Sequence, residues 1–256
     1  MRRSFVSANR RLSRRLTPSH WIHANNFSMY RKCGMILLAQ PELKRVADVG
    51  AGKSWMFPAD MKERFGVHLI GLEIDEDELR QNTVVDEKIV CDVTKSIPVE
   101  GIDLITAYSG VEHFRDNQAF LHNAHRALVP GGYLIAQFPS SLAPFALLNR
   151  VLPRRVARGL VHELVPGSAG ECGFKAYYNG TRYSLFKKMA ENAGFEVDYY
   201  YPTYFSSDYF GFFVPLYLLS TLYDLIRFGL GVRDLSSYNL FVLRKPGGEL
   251  PTIRWD

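Results

Sequence analysis

Short apolar runs recur along the middle of the chain and alternate with stretches of helical spacing. "RVADVG" (45–50), "VHLIGLE" (67–73), "KIVCDV" (88–93), "IDLITAYS" (102–109) and "GGYLIAQFP" (131–139) each predict a buried strand. The last is introduced by a turn at Pro130, Gly131 and Gly132. Between the first two strands a helical stretch is interrupted by Pro58. "DEDELRQN" (75–82) opens a helix, because Asp75 and Glu78 have capping-box spacing. "NQAFLHNAHRAL" (117–128) places Phe120, Ala124 and Leu128 on one helical stripe. Further on, "RYSLFKKMAENAG" (182–194) is a helix ended by Gly194, and "FEVDYYYP" (195–202) and "SYNLFVLRKP" (237–246) are the last two strands. This alternation predicts an α/β fold with a doubly wound, mostly parallel sheet.

The chain has 256 residues, enough for one large domain with additions. Residues 1–44 form an arm and cap helix, and 45–256 form the domain. Two connections, 139–181 and 203–236, exceed what a minimal fold needs, and long insertions in compact domains are usually functional.

Charge changes the picture at one end. The net charge is +5, yet residues 1–41 hold Arg2, Arg3, Arg10, Arg11, Arg14, Arg15, Arg31 and Lys32 with no acid, so the remainder is slightly acidic. Such an arm favours phosphate-bearing surfaces. Phe5, Leu12 and Leu16 fall on one helical face of it. The Arg- and Ser-rich, acid-free make-up is that of a mitochondrial presequence or of a basic surface helix. Cys33, Cys91 and Cys172 are odd in number, far apart and without metal spacing, which fits a reducing compartment. The expected location is cytoplasmic, with membrane association, and the mitochondrial matrix is the alternative.

Candidate chemistry starts at "RVADVGAGKSW" (45–55). Ala47 to Ser54 satisfies a loose phosphate-loop pattern. A phosphate loop needs an apolar strand ending before its first small residue, and "ELKRV" (42–46) is a poor one. The apolar run passes instead through Ala47 and Val49 and stops at Gly50. Parsed as a strand followed by Gly-x-Gly, the segment lets the backbone approach a nucleoside, and Glu73 closes the second strand where an acid bonds ribose hydroxyls. Nicotinamide enzymes share this geometry. Asp48 would repel a pyrophosphate but not a sulfonium with its ammonium group, and the third fingerprint glycine is absent because Trp55 stands in its place.

With "DLITAYSGVEHF" and "LVPGGYLIAQFPS" added, the chain resembles the class I S-adenosylmethionine-dependent methyltransferases, of the type 11/12-like branch. The resemblance covers about 45–139, 181–202 and 237–246. It implies a Rossmann-like doubly wound seven-stranded sheet with an antiparallel last strand, and helical insertions over the active face. It implies S-adenosyl-L-methionine as cofactor, with Gly50 and Gly52 turning under it. Asp48 would organise the loop and the methionine end, Glu73 would hold the ribose diol, and Ile74 would pack on adenine. Asp92 would accept from the adenine amino group with Val93 beside it, and Ser109 would line the methionine end. Ser54, where many members carry glycine, and the neighbouring Lys53 depart from the usual pattern.

His113 follows Glu112 just past the fourth strand, where an acceptor would sit. Histidine suits a general base for a hydroxyl acceptor, and a structural histidine pinning the loop is the plainer alternative. Glu112 pairs with it as a substrate contact, and no metal is expected. Tyr30 either closes over the site or packs. Arg154 and Arg155, with Arg150 and Arg158, make the first insertion basic, and 209–232 is nearly uncharged. The apolar part is too short to span a bilayer, so it is a lid helix or an interfacial one. The expected partners are a small-molecule, glycan or lipid-linked acceptor, methylated most readily on oxygen, and a membrane surface touched by 1–16 and 209–228. No DNA is expected. RNA methylation is a competing function without an RNA-binding module, and a non-catalytic binding or scaffold protein is another alternative.

Overall fold

The computed structural model describes residues 2–17, 21, 25–151, 175–248, 250 and 252–255. Seven strands form one sheet: β1 (Arg45–Val49), β2 (His68–Glu73), β3 (Glu87–Val90), β4 (Ile102–Tyr108), β5 (Leu128–Pro139), β6 (Glu196–Thr203) and β7 (Tyr238–Arg244). Their order is β3-β2-β1-β4-β5-β7-β6. The first five run parallel, and β7 is antiparallel to both β5 and β6. The chain winds outward from β1 to β3 and then from β4 towards β5, so the order reverses between β1 and β4. Ligands of such sheets bind beyond the strand carboxyl ends at that reversal.

Both faces of the sheet are covered, which explains the nearly continuous apolar strands. Side chains alternate between two cores. Ala47, Ile70, Ile105, Leu134 and Phe241 point to one, and Val46, Leu69, Leu104, Ile135 and Val242 to the other. Helix α1 is Arg2–Leu16, and α2 is Asn26–Leu38, whose Tyr30, Cys33, Leu37 and Leu38 fill the second core. Asn25 caps α2 by accepting from Ser28 N (2.8 Å). Two short helices, α3 (Asp60–Phe65) and α4 (Glu76–Gln81), follow β1 and β2. The first core is roofed by α5 (Asn117–Ala127) and by α7 (Tyr183–Asn192), which follows the short α6 (Pro144–Val151). α5 buries Phe120, Leu121 and Ala124, each side chain contributing about 1.5–3 kcal/mol for the large ones.

Two boundaries differ from expectation. β5 begins at Leu128 and runs through the predicted Pro130–Gly132 turn. Gly131, at φ 85°, donates to Lys245 O (2.9 Å), and Lys245 N returns a bond to Gly132 O (2.9 Å), so pairing continues past β7. β3 ends at Val90, because the Asp92 carboxylate takes Thr94 N (3.0 Å) and Thr94 Oγ1 (2.6 Å) and turns the chain locally.

The last helix, α8 (Val214–Leu230), is attached by polar contacts. Asp224 and Arg227 form a buried ion pair. Asp224 accepts from Ser206 N (2.8 Å) and Ser207 N (2.9 Å), and Arg227 donates to Tyr204 O (2.8 Å) and Leu235 O (2.8 Å). α1 lies beside the start of α8: Val214 N donates to Asn9 Oδ1 (3.0 Å), Ser13 Oγ to Gly211 O (3.2 Å), and the Thr17 and Tyr217 hydroxyls share a bond (2.8 Å). None of the described helices is long and apolar enough to cross a membrane.

Candidate active site

The carboxyl ends of β1 to β4 bring most of the predicted cofactor residues together. Gly50 and Gly52 adopt φ of 72° and 45°, and a Cβ at Gly50 would meet nothing within 4 Å, so the turn faces open space. Gly50 N and Ala51 N both donate to Leu72 O, which fixes the loop to β2. Glu73 completes the tie. Its Oε2 accepts from Gly52 N (3.1 Å), and its Oε1 from Ile74 N (2.7 Å) and Asp75 N (3.2 Å). Asp75 caps α4 through Asp77 N and Glu78 N, but Glu73 takes the backbone N–H that the capping box would return to Glu78. Glu78 reaches Lys53 instead (3.8 Å). Ile74 beside Glu73 is 58% exposed although apolar. Asp92 is half-buried and Val93 buried at the adjoining edge.

Asp48 lies deeper. It is buried, accepts from Thr106 Oγ1 (2.6 Å), and pairs with no basic side chain among the described residues. Burial pushes its pKa up to about 7, opposed by the Thr106 bond and aided by Glu73. Tyr30 is wholly buried, stacked on Phe57 (5.6 Å between ring centres) and leaning on Tyr108 (5.0 Å). The substrate contact expected of Tyr30 is therefore not where its ring lies; it braces the loop from beneath. Gly34 permits this closeness, because a Cβ there would fall 2.2 Å from the Phe57 ring.

The other side of the cleft joins Ser109, Glu112 and His113, which the sequence placed after the fourth strand, to partners from distant segments. Ser109 ends β4 at φ 51°, held by Ser109 N to Gln137 O (2.8 Å) and Ser109 Oγ to Gln137 Oε1 (3.1 Å). The turn Val111–His113 follows. Glu112 is buried, and its Oε2 has no hydrogen-bond partner among the described residues. Its backbone carbonyl accepts from Tyr177 N (2.8 Å) and Tyr178 N (3.0 Å), and Tyr178 also sits at positive φ, 52°. Two non-glycine residues in this strained region, both beside Glu112, mark a site rather than a random loop. Burial pushes the Glu112 carboxyl up to about 8. His113 Nε2 lies 3.8 Å from Glu112 Oε1. Burial lowers the imidazole's pKa, against a backbone bond to Lys175, so the ring is neutral at neutral pH.

Aromatic rings wall this side. Phe145 stacks on Tyr209 (4.5 Å) and tilts against Tyr238 (5.4 Å), and the two tyrosine hydroxyls share a bond of 2.7 Å. Both phenols are shifted up by burial, and Glu112 adds to the shift of each. Sequence reasoning missed Phe145, Tyr178 and Tyr238 as site residues; the tyrosine-rich insertions leaving the active ends of β5 and β6 were the available signal. A cavity of about 600 Å³ opens nearby, lined by residues that include Arg115, Tyr177 and Arg182. Arg154 and Arg155 lie outside the described residues. Among the described residues no group of three or more His, Cys, Asp or Glu could hold a metal.

Residues 47–136 match the family described as "Methyltransferase domain". No curated protein matches the chain. Among solved structures, the fold is similar to an S-adenosylmethionine-dependent methyltransferase from Mesorhizobium loti, with a TM-score of 0.52 and 16% identity over 86% of this chain and 98% of that one. It is similar to a mycolic acid cyclopropane synthase complexed with S-adenosylhomocysteine, at 0.51 and 18% over 85% and 83%. A geranyl diphosphate C-methyltransferase from Streptomyces coelicolor gives 0.51 and 13% over 85% and 77%. Residues 47–136 thus match a methyltransferase domain, and the seven-stranded sheet built around them has the Rossmann-like methyltransferase fold, a domain whose implied cofactor is S-adenosylmethionine.

Proposed function

We propose that the protein is an S-adenosylmethionine-dependent O-methyltransferase acting on a small-molecule, glycan or lipid-linked acceptor. The observation that carries the choice of oxygen is the pairing of a neutral imidazole, His113, with a buried carboxyl, Glu112, against an aromatic wall.

The donor side fits the cofactor's chemistry. Open space over the Gly50 turn admits a ligand backbone, and the exposed Ile74 offers an apolar rest for adenine. Glu73 spends one backbone bond on one oxygen and two on the other, and keeps lone pairs for a ribose diol. Asp48, with no basic partner among the described residues, suits the ammonium end of a zwitterion, and Ser109 follows the end of the neighbouring strand β4. Asp92 would accept from the adenine amino group. When bound, S-adenosylmethionine supplies a methyl group made electrophilic by its sulfonium.

The chain's own part is placement and proton handling. The aromatic wall of Phe145, Tyr209 and Tyr238 orients the acceptor and keeps water out, and holding two reactants in line supplies much of the acceleration. His113 would accept the acceptor's hydroxyl proton on a ring nitrogen as the acceptor oxygen takes up the methyl group. Glu112, protonated below about pH 8, donates to a neighbouring acceptor oxygen.

The test is mass spectrometry with isotopically labelled methyl donor against a panel of phenols, sugars and prenol-linked hydroxyls. Labelled ethers formed by wild type and lost in His113→Ala, with S-adenosylhomocysteine binding retained, support the reading. Transfer undiminished in His113→Ala would remove the base and with it the case for oxygen. Binding of S-adenosylhomocysteine without any transfer would favour a non-catalytic binding protein.

A further inference from the structure

α8 is built inside out. The residues it buries are Tyr217, Ser220, Asp224 and Arg227, spaced at helical intervals along one stripe. The residues it shows to solvent are apolar: Leu218, Leu219 at 65%, Leu222, Ile226, Phe228 at 55% and Leu230 at 62% exposed. α5 in the same fold does the opposite and buries Phe120, Leu121 and Ala124. A soluble helix hides its leucines, and a contiguous apolar face of this kind marks an interaction surface.

The neighbouring element states what the surface meets. α1 is tethered to α8 through Asn9, Ser13 and Thr17. It exposes Phe5 (57%), Leu12 (48%) and Leu16 (46%), and Arg11, Arg14 and Arg15 are exposed on it with no acid anywhere in the helix. Between α1 and the turn Ser207–Phe210 lies a cavity of about 300 Å³, lined by Arg10, Ser13, Arg14, Asp208, Tyr209 and Gly211. Two guanidinium groups face one carboxylate there, and Arg10 Nε is buried without a partner among the described residues. Leucines flanked by arginines, with an arginine-lined cavity at the border, match acyl chains below a layer of phosphates. A second copy of this chain would set one basic arm against another.

We propose that α8 and α1 together dock the protein on a membrane carrying anionic lipids, with the α8 leucines and isoleucine among the acyl chains and the α1 arginines at the phosphate level. The surface stands independently of the methyl-transfer reading. It also shares a wall with the acceptor chamber, since Tyr209 lines the arginine cavity and bonds Tyr238.

Vesicle flotation of the full chain tests this, using phosphatidylcholine vesicles and vesicles of phosphatidylcholine with phosphatidylglycerol. Wild type floats with the anionic vesicles, less so as salt rises, because screening weakens the arginine contacts. Leu219→Ser combined with Leu222→Ser and Ile226→Ser lowers partitioning by about a thousandfold, at roughly tenfold per apolar side chain. These side chains already face water, so the thermal unfolding transition stays in place. Arg11→Glu with Arg15→Glu removes the preference for anionic over neutral vesicles. Wild type that stays in solution with anionic vesicles overturns the proposal. So does light scattering that shows a stable dimer which the triple serine variant converts to monomers, because the face then belongs to a second copy.

Discussion

The two halves of the cleft solve the problem of a buried charge in different ways. On the donor half, Glu73 sits at a strand end and meets three backbone N–H groups, from Gly52, Ile74 and Asp75. On the acceptor half, Glu112 is equally buried, yet one carboxyl oxygen has no partner among the described residues and its pKa is pushed up to about 8. The first half is a finished electrostatic cradle made by one short stretch of chain. The second leaves a polar group waiting for a ligand, in a chamber assembled from β4, β7 and both insertions. Unsatisfied buried groups are rare in folded proteins because each is destabilising, so their place is informative.

The largest effect expected from splitting the halves is on turnover. His113→Ala should lower kcat by about a hundredfold to ten-thousandfold, the usual contribution of a positioned base, while calorimetry finds unchanged affinity for S-adenosylhomocysteine. A parallel loss of cofactor affinity would mean that the two halves are one unit. Next comes the anchor of the acceptor half. Asp224→Ala leaves Arg227 buried and unpaired and frees Ser206 and Ser207, so chemical denaturation should show a loss of about 3–5 kcal/mol. Cofactor affinity below the unfolding midpoint should hold, because no donor-side residue touches that network.

On the donor half, Glu73→Ala removes the acceptor for three N–H groups and the proposed contact to the ribose diol. Titration with S-adenosylhomocysteine should show affinity reduced by about tenfold to a hundredfold, as for one or two charge-assisted bonds. An unchanged dissociation constant would strike Glu73 from the site. The smallest effect is on pH dependence. Glu112 holds a proton in the folded chain that the unfolded chain, at its ordinary value of 4.5, has already released. The fold therefore loses stability as the pH rises from about 4.5 to about 8. Asp48, raised to about 7, adds a slope of the same sign, so substitution of Glu112 is what separates the two contributions. Melting curves across that interval should show a falling midpoint for wild type and a flatter one for Glu112→Gln; equal slopes would mean that Glu112 is ionised in the fold.

The donor half was legible because its signals are local. Gly50 and Gly52 need positive φ, Glu73 follows an apolar run, and Asp75 caps the next helix, all within one strand–loop–strand unit. The sheet was legible for the same reason, since strands buried on both faces announce themselves as apolar runs. What escaped depends on contacts between distant segments. Phe145, Tyr178, Tyr209 and Tyr238 come from four places in the chain, and each alone is an ordinary aromatic residue. The Pro130–Gly132 segment signals a turn in isolation, but pairing with Lys245 holds it inside β5 as an irregularity with Gly131 at φ 85°. For Tyr30 the sequence left closing over the site and packing both open, and only the stacking on Phe57 and Tyr108 from distant segments shows that the ring packs. The orientation of α8 was the least legible, because its composition says only that it is apolar. Which stripe faces inward is decided by Asp224 and Arg227 finding Ser206, Ser207 and the Tyr204 carbonyl.

That orientation has a thermodynamic consequence. The heat capacity of unfolding comes mainly from apolar surface entering water. The leucines of α8 are in water before anything unfolds, and the face it would uncover on leaving the body is polar. Detachment of α8 as an intact helix in buffer should therefore leave almost no heat-capacity step and only a small denaturant slope, unlike the loss of α5. On a surface that takes up those leucines, the same detachment would acquire the heat-capacity signature it lacks in water.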